Sequence, residues 1–158
     1  KITRDVFKRG YSKEKILEIL QAREEDSKNF IESQSHYADI IISPKPLNPI
    51  INIGDDSEII EIAFDLLMSN SIYLDHVIED LQPIEGLILS QSYLDDDRQK
   101  ISINGRISSN EIAVIANNHI PGLFDLGVDY PNWPKDSFGV TVLILIYSIF
   151  EAAEYGKE

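Results

Sequence analysis

Glu58-Ile59-Ile60-Glu61-Ile62-Ala63-Phe64-Asp65-Leu66 is the stretch that decides the fold class. Ile60, Ile62, Phe64 and Leu66 fall on one side of an extended chain, with Glu61 and Asp65 on the other. Successive side chains alternate across a strand, so this period of two predicts a β-strand with one face turned to a core. Downstream, residues 72–79 and 85–93 read as further strands. Asp95-Asp96-Asp97 breaks the run, and Gln99 to Ile103 followed by Asn104-Gly105 carries a hairpin signal.

Ser108-Ser109-Asn110-Glu111 has the spacing of a capping box. It predicts a helix to about Asn118, with Ile112, Ile115 and Ala116 inward. Residues 120–137 hold Pro121, Pro131, Pro134 and Trp133 and read as an ordered loop with Trp133 as a core anchor. A last helix runs from about Gly139 to Tyr155. Its apolar run, Gly139 to Phe150, falls short of the ~20 residues of a membrane span, so it reads as a buried core helix.

Upstream of the deciding strand, Pro44, Pro46 and Pro49 mark a connection or a sheet edge, and the best internal seam. Before them, Tyr37-Ala38-Asp39-Ile40-Ile41-Ile42-Ser43 reads as a short strand. Ser12 starts a helix through Arg23, Glu24 and Asp26 towards Phe30 and Ile31. Its Ile16, Leu17, Ile19 and Leu20 recur near helical spacing. Residues 1–9 read as a helix ended by Gly10. The order helix, helix, strands, helix, helix predicts an α+β fold: a mixed, largely antiparallel sheet with flanking helices.

The net charge is −13, which argues against nucleic-acid binding and against an anionic membrane surface. With no Cys, the chain has no disulfide, thiol nucleophile or cysteine zinc site. That composition, and a basic, polar start without a secretory signal, fit a cytoplasmic location. His36, His76 and His119 lack metal-ligand spacing, and Asp95 to Asp97 reads as a solvated turn, so no metal site is expected. Asp75 and His76 read as a hydrogen-bonded pair on a strand. No Gly-x-Ser-x-Gly elbow supports hydrolase chemistry.

Cations are scarce in so acidic a chain, yet Lys1-Ile2-Thr3-Arg4-Asp5-Val6-Phe7-Lys8-Arg9-Gly10 gathers four of them around one carboxylate. Residues 1, 4, 5 and 8 share a helical face, and Arg9 closes the helix. Such a cluster can clamp phosphate oxygens, because phosphoryl transfer depends on positioning and charge neutralisation. It can equally be a solvated face of ordinary Arg/Asp pairs.

Taken with Ala22-Arg23-Glu24-Glu25-Asp26, Phe30-Ile31-Glu32-Ser33-Gln34 and Tyr37-Ala38-Asp39-Ile40-Ile41-Ile42, that opening resembles the phosphoribulokinase/uridine kinase family. Tyr73-Leu74-Asp75-His76, Glu85 to Leu94 and Asn104-Gly105 to Ser108 are more similar to its cyanobacterial and plant-type phosphoribulokinases. The resemblance implies the C-terminal lobe of a P-loop kinase without its nucleotide-binding half, as if cut from a longer protein. Residues 1–43 would end the kinase core, and 44–158 would be the C-terminal region.

The resemblance also implies ATP and Mg2+ as cofactors of the intact parent, with none bound to this chain alone. The phosphate acceptor would be a sugar phosphate such as ribulose 5-phosphate, or uridine in the alternative. Independently of the resemblance, the many apolar strands could pair between subunits, which makes a homodimer possible. Lys1, Arg4 and Arg9 would contact the sugar phosphate and the transferring phosphoryl group, with Asp5 as their catalytic acidic neighbour. No Gly-Lys-Ser/Thr phosphate loop occurs in the sequence. A lobe serving only regulation or dimerisation is the reading from another class.

Overall fold

The computed structural model describes residues 10–48, 61–123 and 132–155. The chain divides into two compact units, Lys1–Asp39 with Asn48–Ile60, and Ile40–Leu47 with Glu61–Glu158.

In the first unit, Ser12 caps α1 (Lys13–Asp26), its hydroxyl accepting from the Lys15 N–H at 3.2 Å. Ile16 is buried, Ile19 half-buried and Leu17 exposed. The helical path continues as a π-helical turn over Ser27–Ile31 and a 3₁₀ turn over Glu32–Tyr37. Tyr37 is therefore helical, and the strand expected from it begins at Ile40.

The second unit is a four-stranded, wholly antiparallel sheet in the order β1-β2-β4-β3, where the sequence reading allowed a mixed one. The strands are β1 (Ile40–Pro46), β2 (Ile62–Ser69), β3 (Leu87–Tyr93) and β4 (Arg98–Gly105). The period-two reading holds in β2, where Leu66 and Met68 are buried and Asp65 lies on the other face. The expected start of that strand, residues 58–60, lies outside the described residues.

Among the described residues, three helices cover the core face. They are α2 (Asp75–Leu81), α3 (Ser109–His119) and α4 (Asp136–Tyr155). α4 packs on β2, β4 and α3, and α2 packs on α3 and β3. Leu66, Met68, Ile101 and Ile103 from the sheet meet Val77, Leu81, Ile112, Ala116, Leu143 and Ile144 from the helices. Burial of such side chains contributes ~1.5–3 kcal/mol each and dominates the stability.

Residues 72–79 are not a strand. Val77, Ile78 and Leu81 are the buried residues of α2, and their spacing puts them on one helical face. Asp75 and His76 thus open a helix and do not pair. His76 lies 3.7 Å from Glu79 instead.

Asn104-Gly105 is not a hairpin turn either. The β3–β4 connection is Leu94 to Asp97, where Asp95 accepts from the Asp97 N–H at 3.0 Å. Gly105 ends β4 with φ +104, and a Cβ there would lie 2.0 Å from the Gly86 carbonyl oxygen. Its glycine serves this close approach, not a reversal.

The capping box forms as expected. Ser108 Oγ accepts from the Glu111 N–H at 3.3 Å, and the Glu111 carboxylate accepts from the Ser108 N–H at 2.9 Å. Trp133 is buried in the core, whereas most of the expected loop, residues 124–131, lies outside the described residues.

α4 starts at Asp136, one turn earlier than expected. Gly139 sits inside its first turn because a Cβ there would meet the Pro134 carbonyl oxygen at 2.1 Å. Asp136–Ala153 is long and apolar enough to cross a bilayer by length and composition. Here Val140, Leu143, Ile144 and Tyr147 bury one side in the core of the unit. Thr141 and Ser148, also buried, return their hydroxyls to the carbonyls of Ser137 and Ile144.

Candidate functional site

The residues expected to clamp phosphate, Lys1, Arg4, Asp5 and Arg9, lie outside the described residues. The structure takes up the chain at Gly10, whose φ is +67, in the left-handed region that favours glycine. Ser12 then caps α1.

Within the second unit, polar side chains gather at three places. The first is Asp65, on the sheet face away from the helices. Its Oδ1 accepts from Ser102 Oγ at 2.7 Å, and its Oδ2 lies 2.9 Å from Lys100 Nζ and is also bonded to Lys45 Nζ. Strand alternation explains the convergence. Asp65 faces Ser43 on β1 and Ser102 on β4, with Lys45 and Lys100 one step along each neighbour on the same face. Burial by itself would raise the Asp65 pKa. The bonds from Lys45, Lys100 and Ser102 outweigh it and hold the carboxyl well below the usual carboxylate range. With its charge already compensated, the cluster acts as a clamp across β1, β2 and β4.

At the second place, Gln99 is buried at the start of β4 and fully bonded. Its Nε2 donates to the carbonyls of Ser69 at 3.0 Å and Ile72 at 2.7 Å, and its Oε1 accepts from Gln91 Nε2 at 2.8 Å. The Asp75 carboxylate lies 3.5 Å from Gln91 Nε2. Hydrogen bonding to Asp75 also pushes the Tyr73 phenol pKa up. Nothing in the sequence marks Gln99 beyond its core-side position in the alternation.

The third place joins helices. His119 Nε2 lies 2.8 Å from Asp80 Oδ2, and the imidazole meets the Tyr147 ring edge-on at 6.3 Å. Beside Asp80, an open groove of about 300 Å³ between α2 and α3 is lined by Ile84, Asn110, Glu111, Val114 and Ile115. His119 is three-quarters or more buried, so the pair links α2 to the end of α3.

Among the described residues, no group of three or more His, Asp or Glu side chains could hold a metal ion. No Gly-Lys-Ser/Thr loop that could cradle nucleotide phosphates occurs in the sequence.

The fold is thus an open antiparallel α+β unit following a helical segment, and that segment belongs to the part of the chain matched by a known family. Residues 1–50 match the model of the Phosphoribulokinase / Uridine kinase family. The match supports the family that the opening motifs resemble, and it includes all four expected clamp residues. Comparison with curated proteins and with solved structures gave no match.

Proposed function

We propose that the chain is the C-terminal part of an ATP-dependent kinase of the phosphoribulokinase/uridine kinase type. The observation that carries this reading is the family match over residues 1–50. The parent transfers the terminal phosphate of ATP to a hydroxyl of ribulose 5-phosphate or a related sugar phosphate, with Mg2+ as the metal. The similarity of Tyr73 to His76 and of Glu85 to Leu94 to the cyanobacterial and plant-type enzymes favours a sugar phosphate over uridine.

In this reading Lys1, Arg4 and Arg9 hold the acceptor phosphate and the transferring phosphoryl group, and Asp5 supports them. Residues 1–43 end the kinase core, and 44–158 form the C-terminal region. Because the sequence holds no phosphate-cradling loop, this chain alone does not turn over, and the parent supplies that loop. The parent is cytoplasmic, works as a homodimer, and engages neither nucleic acid nor membrane.

Phosphate transfer from ATP to ribulose 5-phosphate and to uridine, measured on the parent, tests this reading. Turnover of the sugar phosphate is expected. Turnover of uridine alone selects the nucleoside kinase, and turnover of neither overturns both.

A further inference from the structure

We propose that the groove between α2 and α3 docks a basic amphipathic helix of another protein. The guest would lay apolar side chains on Ile84, Val114 and Ile115 and give its cations to Asp80 and Glu111. This goes beyond the phosphoryl-transfer reading above and does not rest on it.

The charges of the second unit are sorted between its layers. α2, α3 and α4 contain no Lys and no Arg. α2 carries Asp75, Glu79 and Asp80, α3 carries Glu111, and Glu85 follows α2. The described cations of the unit, Lys45, Arg98, Lys100, Arg106 and Lys135, lie on strands or connections, and each already has a carboxylate partner. His76 and His119 are the basic rings of α2 and α3, and they lie 3.7 Å from Glu79 and 2.8 Å from Asp80. The two helices therefore present a field of one sign, which draws in a basic partner and turns away nucleic acid and anionic lipid.

Within this acidic layer the groove itself is largely apolar. Asn110, Glu111, Val114 and Ile115 line it from one stripe of α3, and Ile84 lines it from just beyond α2. Val114 is 60% exposed, although Ile112, Ile115 and Ala116 of the same helix are buried. It is an apolar side chain that the core leaves over. At about 300 Å³ and open to one side, the groove is at the bottom of the ~300–1,000 Å³ of pockets that enclose small ligands. It suits a row of side chains laid across it better than an enclosed molecule.

The two carboxylates at the groove are held in place and keep one oxygen each for a guest. Asp80 uses Oδ2 for His119, and Glu111 uses Oε2 for the N–H and hydroxyl of Ser108. Among the described residues nothing donates to Asp80 Oδ1 or Glu111 Oε1. A Lys or Arg can bond either oxygen without breaking the α2–α3 link or the helix cap. Acceptors fixed in advance lose little freedom on binding. Apolar anchors flanked by cations are the two things an amphipathic helix supplies when it lies in a groove.

The test is fluorescence anisotropy of a labelled peptide of ~14 residues, with Leu on one helical face and Lys on the other, titrated with the 158-residue chain. Saturable binding is expected, weakening as salt is raised. Val114→Lys and Asn110→Lys each place an ammonium at the groove. Both positions are exposed, so the fold is kept, which circular dichroism checks. Each should raise Kd about tenfold or more, whereas Asp96→Asn, the same change of net charge on the β3–β4 turn, should shift it less than about twofold. A peptide with Leu and Lys scrambled, and one with Glu in place of Lys, should not saturate. Equal affinity of the Val114→Lys and Asp96→Asn chains would assign binding to diffuse acidity and overturn the proposal. So would saturable binding of the Glu peptide, or no binding of the Lys peptide. If sedimentation shows a self-associating chain whose copies Val114→Lys separates, the groove belongs to a second copy and the proposal falls. None of these results depends on whether the parent phosphorylates a sugar.

Discussion

Lys100 on β4 places its ammonium 2.9 Å from the Asp65 carboxylate on β2, beside the Ser102 hydroxyl that bonds the other carboxylate oxygen. With Lys45 reaching the same carboxylate from β1, one side chain ties three strands together. Asp65 is only 16% exposed, so solvent screens this pair less than the surface pairs elsewhere.

Asp65→Ala should destabilise the chain by about 2 kcal/mol at neutral pH, the scale of charge-assisted bonds lost from a partly buried site. The carboxyl titrates lower in the folded state than the ~3.9 of an unfolded aspartate. Its contribution is therefore complete above that unfolded value and is lost as pH falls towards the folded one. Urea unfolding of both proteins should show a difference that shrinks on acidification. A difference that stays constant into acid would separate the clamp from the charge on Asp65.

Gln99→Leu keeps the volume and removes the polar atoms. The carbonyls of Ser69 and Ile72 then lose their donor, and Gln91 loses its acceptor. A cost of about 2–4 kcal/mol is expected from the unsatisfied groups. A loss under about 1 kcal/mol by urea unfolding would mean that water replaces the amide.

Gly139→Ala separates helix propensity from packing. In an exposed helix the change would stabilise by ~1 kcal/mol. Here the new methyl meets the Pro134 carbonyl oxygen at 2.1 Å and Ile112 Cδ1 at 2.4 Å. Net destabilisation of about 1–3 kcal/mol is expected, read as a fall in the thermal midpoint. A midpoint that rises would show that residues 132–135 yield readily.

Arg4→Ala and Arg9→Ala belong in the parent protein. If these cations hold phosphate, each should lower kcat/KM by about 10- to 100-fold, which is ~1–3 kcal/mol. Equal kinetics would return them to a solvated helix face.

Much of the second unit was legible because its signals are local. The capping oxygen of Ser108 and the alternation through Phe64 and Leu66 act within a few residues, and both formed as read. The misreadings came where local patterns have two solutions. Val77 and Ile78 suit a strand or a short helix equally, and only the core under Leu81 chooses. Asn104-Gly105 suits a hairpin, but Gly105 is required by the distant Gly86 backbone. The true turn carried its own signal in Asp95, whose carboxylate takes the Asp97 N–H. Gln99 was invisible because its partners are carbonyls 27 and 30 residues away. The expected phosphate clamp rests on sequence and family match alone, since its residues lie outside the described structure.

Pro44 and Pro46 limit how many neighbours the sheet can recruit. The Leu47 N–H donates to the Glu61 carbonyl, which turns Pro44 and Pro46 outward, so a strand laid along this stretch of the edge would find no N–H at either position.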